Sequence, residues 1–228
     1  THKYKLGDLS NVPTAFWHGG SSGDLNGDGN LDVIIVSGMT TDILYGNGKG
    51  SFTLEPYKYV PGWGNLTTEI VDVDKDGLND IIITGDETSQ SKSLILWNRN
   101  GNFNQQTTIC ELNTIGWGIV MDIVCDDLDG DGTNEIILDR TGDNSSTLYG
   151  GYNLITYKSI DNYKSFNSVS LIKNNILTQT QIGGWITRLI LYKTNNVLKL
   201  YADISVGYGY VYYPTKIWTQ NQTTKIFE

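Results

Sequence analysis

Three observations in the sequence predict an all-β chain built from repeated sheets. An acidic nine-residue pattern occurs three times, and each copy runs into apolar, strand-forming residues. Asp24 to Asp32 precede Val33-Ile34-Ile35-Val36, Asp72 to Asp80 precede Ile81-Ile82-Ile83-Thr84, and Asp127 to Glu135 precede Ile136-Ile137-Leu138. A tryptophan stands ahead of each strand that enters such a loop, and ahead of a fourth strand, at Trp17, Trp63, Trp117 and Trp185. The 26 glycines and the scarcity of helix-favouring runs suit short strands joined by turns.

Within each acidic loop, side chains at positions 1, 3, 5 and 9 converge on one point, because alternate residues of a curled loop face inward. Glycine at position 6 supplies the positive φ that so tight a wrap needs. Oxygen donors at this spacing suit a hard cation, and Ca²⁺ is the natural occupant. With position 7 as the fifth protein group, the ligand sets are Asp24, Asn26, Asp28, Asn30 and Asp32; Asp72, Asp74, Asp76, Leu78 and Asp80; and Asp127, Asp129, Asp131, Thr133 and Glu135. An EF-hand loop would place its last acid at position 12, opening a helix. Here the last acid is at position 9 and strand residues follow, so the loops belong to β-hairpins.

At 228 residues the chain is long enough to bury a substantial core. The formal charge of −9 speaks against a nucleic-acid partner, which would need clustered Lys and Arg. The acids of the three loops carry −11 between them, and three Ca²⁺ would take the chain from −9 to near −3. Without metal the loops should repel themselves open. No apolar run reaches the ~20 residues of a membrane span, so no membrane insertion is expected. No signal-like leader is visible, and the expectation is a soluble chain whose export signal has been removed. Exposed calcium loops of extracellular modules bind at about 10⁻⁴ to 10⁻³ M, which points to a secreted location. Sequons at Asn65, Asn144 and Asn221 bear on this only in a eukaryotic source.

After each loop come a strand, a polar turn, a second strand ending in an aromatic residue and then a Phe. The pairs are Tyr45 and Phe52, Trp97 and Phe103, Tyr157 and Phe166, and Trp218 and Phe227. The fourth repeat, beginning Ile186-Thr187-Arg188-Leu189-Ile190-Leu191, has Tyr192-Lys193-Thr194-Asn195-Asn196 in place of acids, and an ordinary hairpin without metal is expected there. Repeat four stops at Phe227-Glu228, while residues 1 to 8 supply the strand it lacks. The predicted fold is therefore a four-bladed β-propeller closed by its N-terminal strand, a device that hides sheet edges. Blade 1 spans about 16 to 57, blade 2 about 63 to 112, blade 3 about 117 to 174, and blade 4 about 185 to 228 plus 1 to 8. Half of an eight-bladed ring, completed by a dimer, is the alternative.

Asp24 to Asp32 followed by Val33-Ile34-Ile35-Val36, with Gly46-Asn47-Gly48-Lys49-Gly50-Ser51-Phe52 closing the repeat, resembles the FG-GAP/VCBS repeat found also in integrin α-subunit propellers. The likeness covers most of repeats one to three and only the spacing of repeat four. It implies a calcium-stabilised propeller with metal in the first hairpin loop of a blade. Members usually have six to eight blades, and four is a departure from that pattern.

Cys110 in the outer strand of blade 2 and Cys125 in the inner strand of blade 3 fall roughly 14 Å apart at ~4.8 Å per strand, too far for a disulfide. Two largely buried thiols are expected. The face opposite the calcium loops should carry Trp17, Trp63, Trp117 and Trp185 beside Thr40, Thr41, Asp86, Glu87, Arg140, Asp143, Asn144, Tyr208 and Tyr210. Aromatic rings beside short polar groups suit sugars, so a glycan or cell-surface polysaccharide is the expected partner. The tryptophans also fit a second role, as wedges between blades. The scarce basic candidates His2, His18, Arg99, Arg140 and Arg188 fall in no catalytic constellation, and no catalytic residue is assigned. A lyase-type enzyme acting on polysaccharide and a protein-binding scaffold are the other readings.

Overall fold

The computed structural model describes residues 17–37, 41–57, 65–87, 92–109, 118–142, 151–177, 184–206 and 215–228. Among them no α-helix occurs, and no helix long and apolar enough to cross a membrane. The strands form four small antiparallel sheets, the blades of a four-bladed β-propeller. Two belong to a unit ending at Thr108, and two to a unit running from Ile109 to Glu228.

In the first unit, β1 (Trp17–Gly23), β2 (Asp32–Ser37), β3 (Thr41–Gly46) and β4 (Phe52–Tyr57) pair in sequence order. The second sheet repeats the plan with β5 (Asn65–Val71), β6 (Asp80–Gly85), β7 (Leu94–Trp97) and β8 (Gln105–Thr108). Every residue of β6 and β7 is buried, as expected of strands covered on both faces. The edge strand β8, Gln-Gln-Thr-Thr, is polar and half-exposed, which discourages pairing with another chain. Leu25, Ile34, Ile43, Ile70, Ile81, Ile83, Leu94, Leu96 and Phe103 form the core of this unit.

In the second unit, β9 (Ile119–Asp126), β10 (Glu135–Thr141) and β11 (Tyr152–Ile160) are followed by β12 (Ser165–Val169) and β13 (Ile176–Leu177), which both pair with β11 along its outer side. The last sheet contains β14 (Gly184–Thr194), β15 (Val197–Val206) and β16 (Lys216–Thr219). Asn195 and Asn196, at φ 50° and 62°, turn β14 into β15 as the two-residue hairpin expected of this non-acidic repeat. Its fourth strand, expected from residues 1 to 8, lies outside the described residues, as do Cys110, Thr40, Asp143, Asn144, Tyr208 and Tyr210. Phe227 bridges to both Ile172 and Gln220 and is fully buried with Trp218, Tyr152 and Leu200.

One irregularity recurs in all four sheets. The register between the first two strands slips at Trp17/Gly19, Asn65/Thr67, Asp139/Arg140 and Ile186/Arg188, leaving His18, Leu66, Met121 and Thr187 as the extra residues. Each stands six positions before the first residue of its loop, Asp24, Asp72, Asp127 or Lys193. A bulge twists the strand locally and is a designed feature of a fold. Its presence in the fourth sheet shows that this sheet shares the repeat's register although its turn carries no acids.

Trp17 and Trp185 precede the extra residues of their sheets by one and two positions, while Trp63 and Trp117 lie outside the described residues.

A buried acid lies in the second unit. Asp139 of β10 is opposite Asp122 of β9, is wholly buried, and has no hydrogen-bond partner for either oxygen. Burial, and then the Asp122 charge, hold its pKa well above the ordinary carboxylate value, against the opposing pull of Arg140. Asp139 therefore stays protonated in the fold at pH values where the unfolded chain has released that proton. Its contribution to stability is complete below the unfolded pKa near 3.8 and is lost as pH rises toward the folded value. Asp139→Asn should be more stable than wild type by about 1 kcal/mol or more at pH 8, with the gap closing near pH 4. Urea melts at the two pH values check this.

Candidate metal centres

The three acidic loops wrap in the same way. The position-1 carboxylate accepts backbone N–H groups across the turn. Asp24 takes Gly27 and Gly29 at 2.8 Å each, Asp72 takes Asp76 at 3.0 Å and Gly77 at 2.9 Å, and Asp127 takes Gly130 at 2.7 Å and Gly132 at 3.0 Å. The glycines at position 6 have φ of 80°, 91° and 94°, the left-handed turn anticipated for them. The position-5 acids accept the N–H two residues on, from Asn30, Leu78 and Thr133. The Asn30 amide pulls the Asp28 carboxyl below its ordinary pKa.

The position-9 acid fastens each loop to its sheet. Asp32 accepts Leu25 N–H and Gly46 N–H, each at 2.8 Å. Asp80 accepts Val73 N–H at 3.0 Å and Asn98 N–H at 2.9 Å. Both acids are fully buried. Burial, supported by the Asp74 and Asp76 charges, pushes Asp80 up to about 7, although its two amide partners pull the other way. Such a carboxylate calls for a cation beside it. Glu135 differs, since its Oε2 accepts both Leu128 N–H at 2.8 Å and Asp129 N–H at 3.3 Å, which leaves Oε1 without a backbone donor.

Neighbouring sheets hold the loops from outside. Position 2 is a buried apolar plug, Leu25, Val73 or Leu128. Asn98 Nδ2 donates to the Leu25 carbonyl at 2.9 Å, and Asn79 Nδ2 donates to the Asp24 carbonyl at 2.9 Å, so the second sheet clamps the first loop. In the other unit Gln220 Nε2 donates to the Leu128 carbonyl, and the last sheet clamps the third loop in the same manner.

Carboxylate oxygens of Asp72, Asp74 and Asp80, and likewise of Asp127, Asp129 and Glu135, lie within 4.8 Å of one another. The first loop has Asn26 at position 3, where these two have Asp. Asp74 Oδ1 is buried with no hydrogen-bond partner. An all-oxygen donor set with an orphaned buried oxygen fits a hard divalent cation.

Two basic side chains reach these clusters: Arg99, which the sequence offered only as a scarce basic residue, and Lys158, which it did not single out. Arg99 contacts Asp76 at 3.1 Å and Asp74 at 3.3 Å while lying over the Trp97 ring. Lys158 contacts Asp129, Asp131 and Glu135. The register locates Lys158 directly opposite Glu135, whereas the sequence reading aligned Tyr157 with Tyr45 and Trp97. Tyr157 instead pairs with Ile136 and faces Arg140.

The residues expected to meet a ligand are dispersed in burial. Arg140 is wholly buried with its guanidinium over the Tyr157 ring at 5.4 Å, so it presents no surface to a ligand. Thr41 is also buried, and buried Glu87 accepts the Ser93 hydroxyl at 2.6 Å. Asp86 and Trp185 are half-buried, and Cys125 is a half-buried thiol.

The sequence profile described as FG-GAP-like repeat matches residues 24–83 and 72–138, together half of the chain. The chain belongs to the FG-GAP-like repeat family. The matched spans begin at the first loop and end in β10, so they take in all three acidic loops of these FG-GAP-like repeats. No curated protein matches the sequence. Among solved structures the FG-GAP-like chain is similar to an Agrocybe aegerita lectin described as recognising non-reducing terminal N-acetylglucosamine. The TM-score is 0.52 at 18% identity, over 86% of this chain and 50% of the lectin chain. The chain thus spans half the length of that neighbour, and the likeness is one of fold.

Proposed function

We propose that this chain is a secreted, calcium-stabilised propeller module that binds carbohydrate. The observation that carries the reading is the fold shared with a lectin that recognises terminal N-acetylglucosamine, in a chain whose acidic loops offer calcium-type oxygen clusters. In this reading Ca²⁺ supplies counter-charge to Asp72, Asp74 and Asp80 and to the corresponding oxygens of the other loops. The loops hold the ion, and their work is structural: they fix the hairpins whose far ends present the binding face. On that face, aromatic rings stack on the apolar side of a sugar while polar neighbours bond its hydroxyls. Calcium loops of modest affinity are filled only where calcium is abundant, which supports an extracellular location.

A glycan array run in calcium and in chelator tests the reading. Binding to a defined glycan class, with terminal N-acetylglucosamine among the probes, is expected in calcium. It should fall at least tenfold in Trp63→Ala or Trp117→Ala at unchanged circular dichroism. Silence across the array, together with capture of a protein ligand, would replace carbohydrate by a protein partner. Cleavage of a uronate polymer would make the chain a lyase.

A further inference from the structure

The basic groups at the second and third loops are placed differently. Lys158 projects from β11 as the cross-strand partner of Glu135, so the strand register fixes its stem. Its ammonium lies against Asp129, 2.7 Å from Asp131 Oδ2 and 3.2 Å from Glu135 Oε1. These are loop positions 3, 5 and 9, three of the four acids that would surround a metal. Glu135 is wholly buried, and apart from Lys158 its Oε1 has no partner. At the second loop, Arg99 touches only positions 3 and 5 from a more exposed place, while both oxygens of Asp80 are held by backbone amides.

An ammonium and a divalent ion cannot share one set of carboxylate oxygens, because the two cations repel at contact and compete for the same lone pairs. Whichever is present removes the other. We propose that Lys158 is the resident counter-cation of the third loop: it holds Asp129, Asp131 and Glu135 together without metal, and a divalent ion enters only by displacing it. The inference rests on the calcium reading of the loops and divides them. The third loop keeps its wrapped shape when calcium is low, and it is the weak or silent calcium site of the chain. The second loop, whose buried Asp80 has no basic partner in contact among the described residues, depends on the ion.

Calcium titration by calorimetry on the chelator-stripped full chain tests this in wild type, Lys158→Met and Lys158→Arg. Lys158→Met should gain a site or tighten one at least tenfold, and its melting temperature in chelator should fall and recover on adding calcium. Lys158→Arg, which keeps a cation at the loop, should behave as wild type. If Lys158→Met fails to fold in chelator, refolding it by calcium, followed by circular dichroism, is the same expected result. Wild type binding calcium with Lys158→Met identical in stoichiometry and affinity would overturn the role of Lys158 alone. Absence of calcium binding in both would overturn the calcium reading and this proposal with it.

Discussion

Replacing Trp218 with alanine is expected to lower the stability of the protein by about 3–5 kcal/mol, the cost of emptying a large buried aromatic site. The side chain is 1% exposed and packs with Phe227, Ile172 and Leu200. Its ring meets Tyr152 edge-on, with centroids 6.2 Å apart and an 84° interplanar angle, and the Lys216 ammonium lies 4.3 Å from its centroid. Its indole N–H donates to the Lys173 carbonyl at 2.9 Å, while Lys173 N–H donates to the Phe227 carbonyl at 2.9 Å. Removing the ring therefore empties the core and loosens the terminal segment pinned beside it. Trp218→Phe keeps most of the apolar volume and loses the hydrogen bond, so it should cost less, near 1–1.5 kcal/mol for the bond itself. Chemical denaturation followed by far-ultraviolet circular dichroism measures both. An alanine variant within 1 kcal/mol of wild type would show that the site is not central to this unit.

Removing calcium is expected to have an effect of similar size, by a different route. An ion bound only to the folded state stabilises it by about 2.7 kcal/mol at a free concentration one hundred times its dissociation constant. With the third loop held by Lys158, two loops depend on the ion, which makes the total about 5 kcal/mol. For a chain of this size that corresponds to roughly 10–20 °C in melting temperature. Asp80 makes the direction firm: it is fully buried and next to Asp74 and Asp76, and among the described residues no basic side chain is in contact to offset it. The melt should be repeated in excess chelator, in calcium and in magnesium. A midpoint that ignores the chelator would remove calcium from the account, whatever the glycan results.

Most of the framework was legible in the residues, because it follows from local rules. Acids at alternate positions with glycine at position 6 demand a wrapped loop, and Ile81-Ile82-Ile83 demands a strand. Both appear as expected. The non-acidic hairpin at Asn195-Asn196 was equally readable. What escaped notice depends on register between strands. Lys158 is one residue beyond an aromatic that looked like the equivalent of Tyr45 and Trp97, and only the pairing of β10 with β11 shows that the lysine is opposite Glu135. The bulges at His18, Leu66, Met121 and Thr187 have no residue signature, since four different side chains occupy them. The burial of Arg140 was invisible for the same reason: charge suggests surface, and only the sheet around β10 shows it enclosed.

The clamp that Asn98 and Gln220 place on the loop carbonyls of Leu25 and Leu128 bears on how the chain reaches its native state. In both cases the donor comes from a later sheet than the loop it secures. A ribosome-bound fragment ending before residue 79 could close the first hairpin but would have neither Asn79 nor Asn98 to lock it. In the calcium reading proposed above, ion uptake should then lag synthesis by one sheet, with metal a seal on finished pairs of sheets and not their nucleus.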